Sequence, residues 1–128
     1  MFFNTKNKKI KKHLENLKSW HSACMKHCHG DNPIKYRDHV ILWFLGSEIE
    51  FMRSQKVELD DSEIIEHLKE IGFGADEVYK QLQRISNGLP YDDIEFFSSA
   101  GENYERWLGG DKFSATILQY ALSLNDKE

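Results

Sequence analysis

The N-terminal quarter of the chain carries an apolar stripe whose period fits an α-helix. Its members, spaced 4, 3, 4, 3 and 4 residues apart, are Ile10, Leu14, Leu17, His21, Cys24 and Cys28. Residues three and four apart lie on one face of a helix, so the stripe predicts an amphipathic helix from about residue 7 to residue 29. Gly30 follows, where a left-handed helix cap is favoured, and Pro33 suits the first turn of the next helix after Asn32 as N-cap.

Five further segments show helical periodicity and are separated by short polar or glycine-containing turns. The second segment, residues 33–55, is the most apolar, and we expect it at the centre of the fold. Gly46 inside it is unfavourable for a helix, which indicates that another helix crosses closely there. The later helices are predicted from Asp60 or Asp61, from Asp76, from Asp92 or Asp93, and from Asp111. In the last of them we expect the core face to consist of Phe113, Ile117, Tyr120 and Leu124.

These segments define the expected fold class. Val and Thr are few and there are two prolines in 128 residues, which argues against strands. A chain of this length buries enough surface to fold as one domain. We therefore predict an all-α protein, with residues 1–128 forming a single compact bundle of five to six short-to-medium amphipathic helices. Residues 1–6 and 125–128 are expected to fray.

The stretch HSACMKHCHG, residues 21–30, concentrates thiols and imidazoles, which are ligands of zinc, iron and haem. Candidate ligands are His21, Cys24, Cys28 and His29. The run CMKHCH resembles a widened form of the c-type haem attachment motif, with three residues between its cysteines in place of two. A zinc site is the alternative, but His21 and Cys28 would lie about 10.5 Å apart along a helix.

A zinc site would therefore need further ligands such as His39 or His67. The interpretation we favour places His21, Cys24 and Cys28 on the core face, the cysteines as free thiols, with His27 and His29 in the last turn of the helix. On this interpretation the protein has no cofactor, and zinc remains an alternative.

Catalytic signatures are not found in the sequence: it has no phosphate-binding glycine loop, no Gly-x-Ser-x-Gly and no His-Glu-x-x-His. The acidic pairs that begin near residues 60 and 92 are read as helix caps. Residues 64–82 have the outline of a helix-turn-helix, but the would-be recognition helix opens with Asp76 and Glu77, which phosphates would repel. We predict a protein that is not an enzyme, and we do not expect nucleic acid to be its partner.

Charge is divided unevenly along the chain. Residues 1–29 hold seven lysines and one acid, whereas residues 30–128 hold ten basic and twenty acidic residues, a net charge of −10. The basic helix face comprises Lys8, Lys9, Lys11 and Lys12. The predicted acidic surface comprises Asp60, Asp61, Glu66, Glu70, Asp92 and Asp93. An acidic body suits a protein partner with a basic surface, so we predict a soluble protein-protein interaction module of the inhibitor, immunity or adaptor type.

Two other functions stay open. One is a metal-binding or redox module that uses Cys24, Cys28 and the neighbouring histidines. The other is a peripheral membrane or nucleic-acid binder that uses the basic N-terminal helix. A homodimer is a further option. The longest apolar run, VILWFL at residues 40–45, is too short to span a bilayer, and we expect a cytoplasmic location.

Overall fold

The computed structural model describes residues 3–125, which form seven α-helices and one short 3-10 helix and contain no strand. The α-helices are α1 (Phe3–Lys26), α2 (Asn32–Lys35), α3 (Arg37–Gln55), α4 (Asp61–Glu70), α5 (Ala75–Asn87), α6 (Tyr91–Leu108) and α7 (Ile117–Asn125). The 3-10 helix, Lys112–Thr116, leads directly into α7. The all-α prediction is confirmed. Of the ends expected to fray, residues 3–6 and 125 lie in helices, and residues 1–2 and 126–128 lie outside the described residues.

The helix count exceeds the predicted five to six because the second segment is divided. Tyr36, with φ −111° and ψ 41°, separates the single turn α2 from α3. Asp31 stands at the N-cap position of α2, one residue before the predicted Asn32, and Pro33 lies in its first turn. Gly30 has φ +64°, as the left-handed cap predicts. Residues 27–36 therefore turn the chain sharply from α1 into α3.

Helix α3 is the centre of the fold, as its composition predicted. Every residue from Val40 to Glu48 is buried, so the helix is enclosed on all sides. It crosses α6 most closely at Gly46, where an added Cβ would lie 2.6 Å from Cβ of Ala100. The predicted close crossing at this glycine is confirmed, and the missing side chain is what lets the two helix backbones approach.

Helix α1 buries a face slightly different from the predicted one. Its buried residues are His13, Leu17, Trp20 and Cys24, again spaced 4, 3 and 4. The other members of the predicted stripe, Ile10, Leu14, His21 and Cys28, are half-buried. Trp20 packs between Trp43 and Trp107, with ring centroids 6.5 and 5.6 Å away. Because the large indole group of Trp20 packs in the core, the buried face of α1 is the one that carries Trp20 and His13.

Helices α4 and α5 form a hairpin on this core. Asp60 caps α4 by accepting a hydrogen bond from the Glu63 backbone, and Glu63 accepts one in return from the Asp60 backbone, a capping box in agreement with the prediction. Ile64 and Leu68 of α4 and Val78 of α5 are buried. Of the helices within residues 3–125, none is long and apolar enough to cross a membrane.

Candidate functional site

The C-terminal helix carries two apolar faces, and the structure buries the one that was not predicted. Leu118 and Leu122 are completely buried, and Ala115 in the preceding 3-10 helix is almost completely buried. The predicted core residues point outward: Phe113 is 70% exposed, Tyr120 62% and Leu124 44%, while Ile117 is half-buried. The predicted core face of this segment was therefore wrong. The two stripes lie on opposite sides of α7, and only one of them can face the core.

The outward stripe forms an open apolar surface, which we call the α7 face: Phe113, Ile117, Tyr120 and Leu124. Phe113, Ile117 and Tyr120 line an open cleft of about 580 Å³ together with Thr116, Gln119 and Ser123. Large aromatic side chains this exposed are unfavourable in water. Adjoining exposed apolar residues with a polar rim are a common feature of protein interaction surfaces.

Four aromatic residues outside the predicted helical stripes are divided between core and surface: Trp20, Tyr36, Tyr91 and Phe96. Trp20 is completely buried, and Tyr36 and Phe96 pack partly against the core. Tyr91, at the start of α6, is 71% exposed. Of these four, Tyr91 is therefore the most accessible to a partner.

The predicted acidic surface is partly used inside the protein. Asp60 caps α4, and Asp93 binds Arg84 at 2.6 Å and His39 at 3.2 Å with a side chain that is 15% exposed. The carboxylates of Glu66 and Glu70 lie 3.4 and 3.7 Å from lysine ammonium groups, those of Lys69 and Lys18. Asp61 and Asp92 lie exposed in the first turns of α4 and α6. The negative surface is consequently weaker than a simple count of acids indicates.

The basic helix lies with its apolar side in the core. Leu17, Trp20 and Cys24 are buried, so that side is not available to a membrane surface. Lys8, Lys11 and Lys12 are exposed, and the half-buried Lys9 donates a hydrogen bond to the Gln55 carbonyl at 2.9 Å. Lys6 and Lys18 each lie 3.7 Å from a carboxylate of α4, those of Glu63 and Glu70. These two contacts direct part of the positive charge toward the acidic part of the protein.

The cysteine and histidine stretch ends α1 and does not form a cluster of three ligands. Cys24 is in the core, Cys28 is half-buried, and both are free thiols. Burial raises the pKa of both thiols, most strongly that of Cys24, so they stay protonated at neutral pH and are poor ligands and nucleophiles. The ring of His21 packs edge-on against Phe44. The exposed His29 donates its backbone N–H to Gln119 of α7.

A different polar cluster lies at the centre of the protein, formed by His13, Glu48, His67 and Tyr104, one from each of α1, α3, α4 and α6. His13 Nε2 lies 2.9 Å from Glu48 Oε1, and His67 Nδ1 lies 2.9 Å from Glu48 Oε2. His13 Nδ1 lies 2.9 Å from the Tyr104 hydroxyl. The Glu48 side chain is 0% exposed and those of His13 and His67 are 1% and 8% exposed. Side chains of α1, α3 and α4 thus meet at one carboxylate, and α6 joins the cluster through His13.

Electrostatics in this cluster are set by the two imidazoles. Burial alone would raise the pKa of Glu48, but the hydrogen bonds from His13 and His67 outweigh it and leave the pKa below its ordinary value. Burial would lower the pKa of His67, and the Glu48 carboxylate raises it above its ordinary value. Phe51 stacks on the His13 ring at 4.0 Å between centroids. Glu48 is therefore an ionised carboxylate that lies between the imidazole rings of His13 and His67.

Three of these four residues were not predicted as site residues from the sequence. His67 was predicted as a possible ligand, whereas His13, Glu48 and Tyr104 were not. The available signal was a carboxylate within the apolar run of α3, at a position where one polar residue interrupts a buried helix. A buried carboxylate requires partners, and the histidines are the partners that the fold brings to it.

The chain was compared with protein-family models, with curated proteins and with solved structures, and none of them matches it.

Proposed function

We propose that this chain is a small protein-protein interaction module of the inhibitor, immunity or adaptor type and not an enzyme. The observation that carries the proposal is the α7 face, where Phe113 and Tyr120 are 70% and 62% exposed beside Ile117 and Leu124. Tyr and Phe are among the residues enriched at the centres of protein interfaces, where burial of an aromatic ring contributes most of the binding energy.

The partner we propose is a protein with an apolar patch surrounded by basic residues. The chain carries a net charge of −4, with the excess of acids in residues 30–128, and this charge attracts a basic surface over long range and accelerates association. The apolar contact then supplies affinity at short range. Two free cysteines support a reducing, cytoplasmic location for this pairing.

Site-specific photo-crosslinking in the native host tests the proposal. A photoreactive residue at position 120 is compared with one at position 79, because Tyr79 is an exposed aromatic residue of α5 outside the α7 face. We expect position 120 to capture one basic protein that position 79 does not capture. That protein is then purified and its affinity measured for the wild type, for Phe113→Ser/Tyr120→Ser and for Tyr79→Ser.

We expect the double substitution to weaken binding at least about 100-fold and the Tyr79→Ser control to leave it unchanged. Binding should also weaken moderately as salt is raised. Equal affinity of the partner for the double variant would refute the proposal. So would capture from position 120 of nothing but a second copy of this chain.

A further inference from the structure

We propose that His13, Glu48 and His67 bind one divalent transition-metal ion that joins α1, α3 and α4. Their ligand atoms all lie within 4.8 Å of one another, and among the residues the structure describes this is the one group of three histidine, cysteine or carboxylate side chains that meets such a spacing. The proposal is independent of the α7 face and of any partner protein.

The distances suit a metal ion. Both nitrogen to oxygen distances, 2.9 Å, match the separation of adjacent ligands around an ion with bonds of about 2.1 Å at right angles. Tetrahedral geometry would need these atoms only a few tenths of an ångström further apart. Because each imidazole faces a different oxygen, the Glu48 carboxylate can bind through one oxygen or through both.

The surroundings of His13 suit a ligand. Metal-bound histidines usually have the second ring nitrogen fixed by a hydrogen bond, which sets the tautomer. His13 Nδ1 lies 2.9 Å from the Tyr104 hydroxyl, so the ring nitrogen that would not bind the ion already has a partner. Phe51 stacked on the ring holds its orientation. The helix positions and the hydrogen bond therefore preorganise this ligand.

The charge of Glu48 also needs compensation. A carboxylate removed from water is unfavourable without a positive partner. In the described part of the chain the groups bonded to Glu48 are the two imidazoles, and no lysine or arginine lies within salt-bridge distance. A divalent ion bound by the two imidazoles and the carboxylate would replace these two hydrogen bonds with a full positive charge beside Glu48.

The ligand set indicates which ions fit. Two imidazole nitrogens with a carboxylate favour Zn²⁺, Co²⁺ or Fe²⁺ over Mg²⁺ and Ca²⁺, which prefer oxygen alone. Access is available on two sides. The His67 side chain reaches the surface at 8% exposure, and a cleft of about 150 Å³ lined by Asn16 and Ser54 reaches His13.

Titration of metal-free, untagged protein with Zn²⁺ tests the proposal, with Co²⁺ as a spectroscopic probe. We expect one equivalent of Zn²⁺ per chain and a Co²⁺ spectrum without the intense thiolate band that cysteine ligands would give. Glu48→Gln keeps the shape of the side chain, and it should weaken Zn²⁺ binding by at least about 100-fold. His67→Gln, at the edge of the cluster, serves as the second variant should Glu48→Gln fail to fold.

His39→Gln is the matched control. His39 also contacts a carboxylate, that of Asp93 at 3.2 Å, but Asp93 has one imidazole beside it whereas Glu48 has two. Its Zn²⁺ affinity should equal that of the wild type. The proposal is overturned if the wild type binds no Zn²⁺, in which case the cluster is a hydrogen-bond network alone. It is equally overturned if His67→Gln binds as the wild type does, or if Cys28→Ser removes the ion.

Discussion

Gly46 of α3 lies so close to Ala100 of α6 that a methyl group on Gly46 would come within 2.6 Å of Cβ of Ala100 and within 2.7 Å of the Phe97 carbonyl oxygen. Two helix backbones meet here with no side chain between them. The central helix can therefore contact α6 along its length only while this residue is glycine.

Gly46→Ala should accordingly destabilise the protein although alanine is the better helix former. The propensity gain is about 1 kcal/mol, whereas the clash with a backbone carbonyl forces α3 and α6 apart and costs about 2–3 kcal/mol, the upper part of the range for overpacking. We expect a net loss of about 1–2 kcal/mol in the free energy of unfolding, measured by urea denaturation. Gly109→Ala, at a helix end with contacts no closer than 3.4 Å, is the control. Unchanged stability of Gly46→Ala would contradict the close crossing.

The two thiols should react at very different rates. Burial raises the pKa of Cys24 more strongly than that of Cys28, and Cys24 is also inaccessible. We expect a thiol reagent to modify Cys28 in the native protein and Cys24 only after denaturation. Peptide mass spectrometry of protein labelled for increasing times would show this order. Simultaneous labelling of both thiols would mean that α1 opens readily from the core.

The ion pair between Arg37 and Glu77 should make stability fall in acid. Arg37 donates to both carboxylate oxygens at 2.6 and 2.8 Å and the Gly74 backbone donates a third hydrogen bond, and together they lower the pKa of Glu77 from 4.5 to about 2. A carboxyl group whose folded-state pKa is lowered stabilises the fold above its unfolded pKa, and this contribution disappears as the pH falls from 4.5 toward 2.

We therefore expect Glu77→Gln to be less stable than the wild type at pH 6 and to approach it at pH 3. Because both side chains are about 40% exposed, solvent screening limits the difference to less than about 1 kcal/mol. Urea denaturation at the two pH values measures it. Asp76→Asn, which removes a charge from the same helical turn, is the control. A difference that stays constant between pH 6 and pH 3 would show that the ion pair does not stabilise the fold.

Removal of the Tyr104 hydroxyl should weaken metal binding without removing a ligand. The hydroxyl lies 2.9 Å from His13 Nδ1, the ring nitrogen opposite the proposed ligand atom, and loss of such a contact typically costs 10- to 100-fold in metal affinity. We expect Tyr104→Phe to reduce Zn²⁺ affinity within that range and to keep one equivalent per chain. Competition with a chelator of known affinity provides the measurement. Wild-type affinity in this variant would mean that His13 is oriented by packing alone.

Much of the fold could be predicted because helix periodicity and turn signals are local. Gly30, the Asp60 capping box and the central place of α3 all follow from residues within a few positions of one another. The break at Tyr36 was not predicted, because no glycine or proline marks it. The face that α7 buries was predicted wrongly for another reason. Its two stripes are both apolar at helical spacing, so the choice between them depends on the neighbouring helices.

The candidate sites, like the buried face of α7, could not be predicted without the tertiary structure. The stretch HSACMKHCHG is a candidate site in sequence because its possible ligands are adjacent in the chain, yet an α-helix directs most of them to different sides. The buried cluster joins residues that are 35 and 19 positions apart around Glu48 and 91 positions apart between His13 and Tyr104. No spacing rule connects such residues. The predicted role of Cys24 as a core residue is confirmed, since it depends only on the periodicity of α1.

The four-helix origin of the buried cluster also sets an order for biosynthesis. As the chain emerges from the ribosome, His13 and Glu48 become available first, His67 next and Tyr104 last. Helix α6 is made last of the four, and it brings both Tyr104 to His13 and Ala100 to Gly46. Completion of the central polar cluster and of the close crossing between α3 and α6 thus both require the chain to be made through α6.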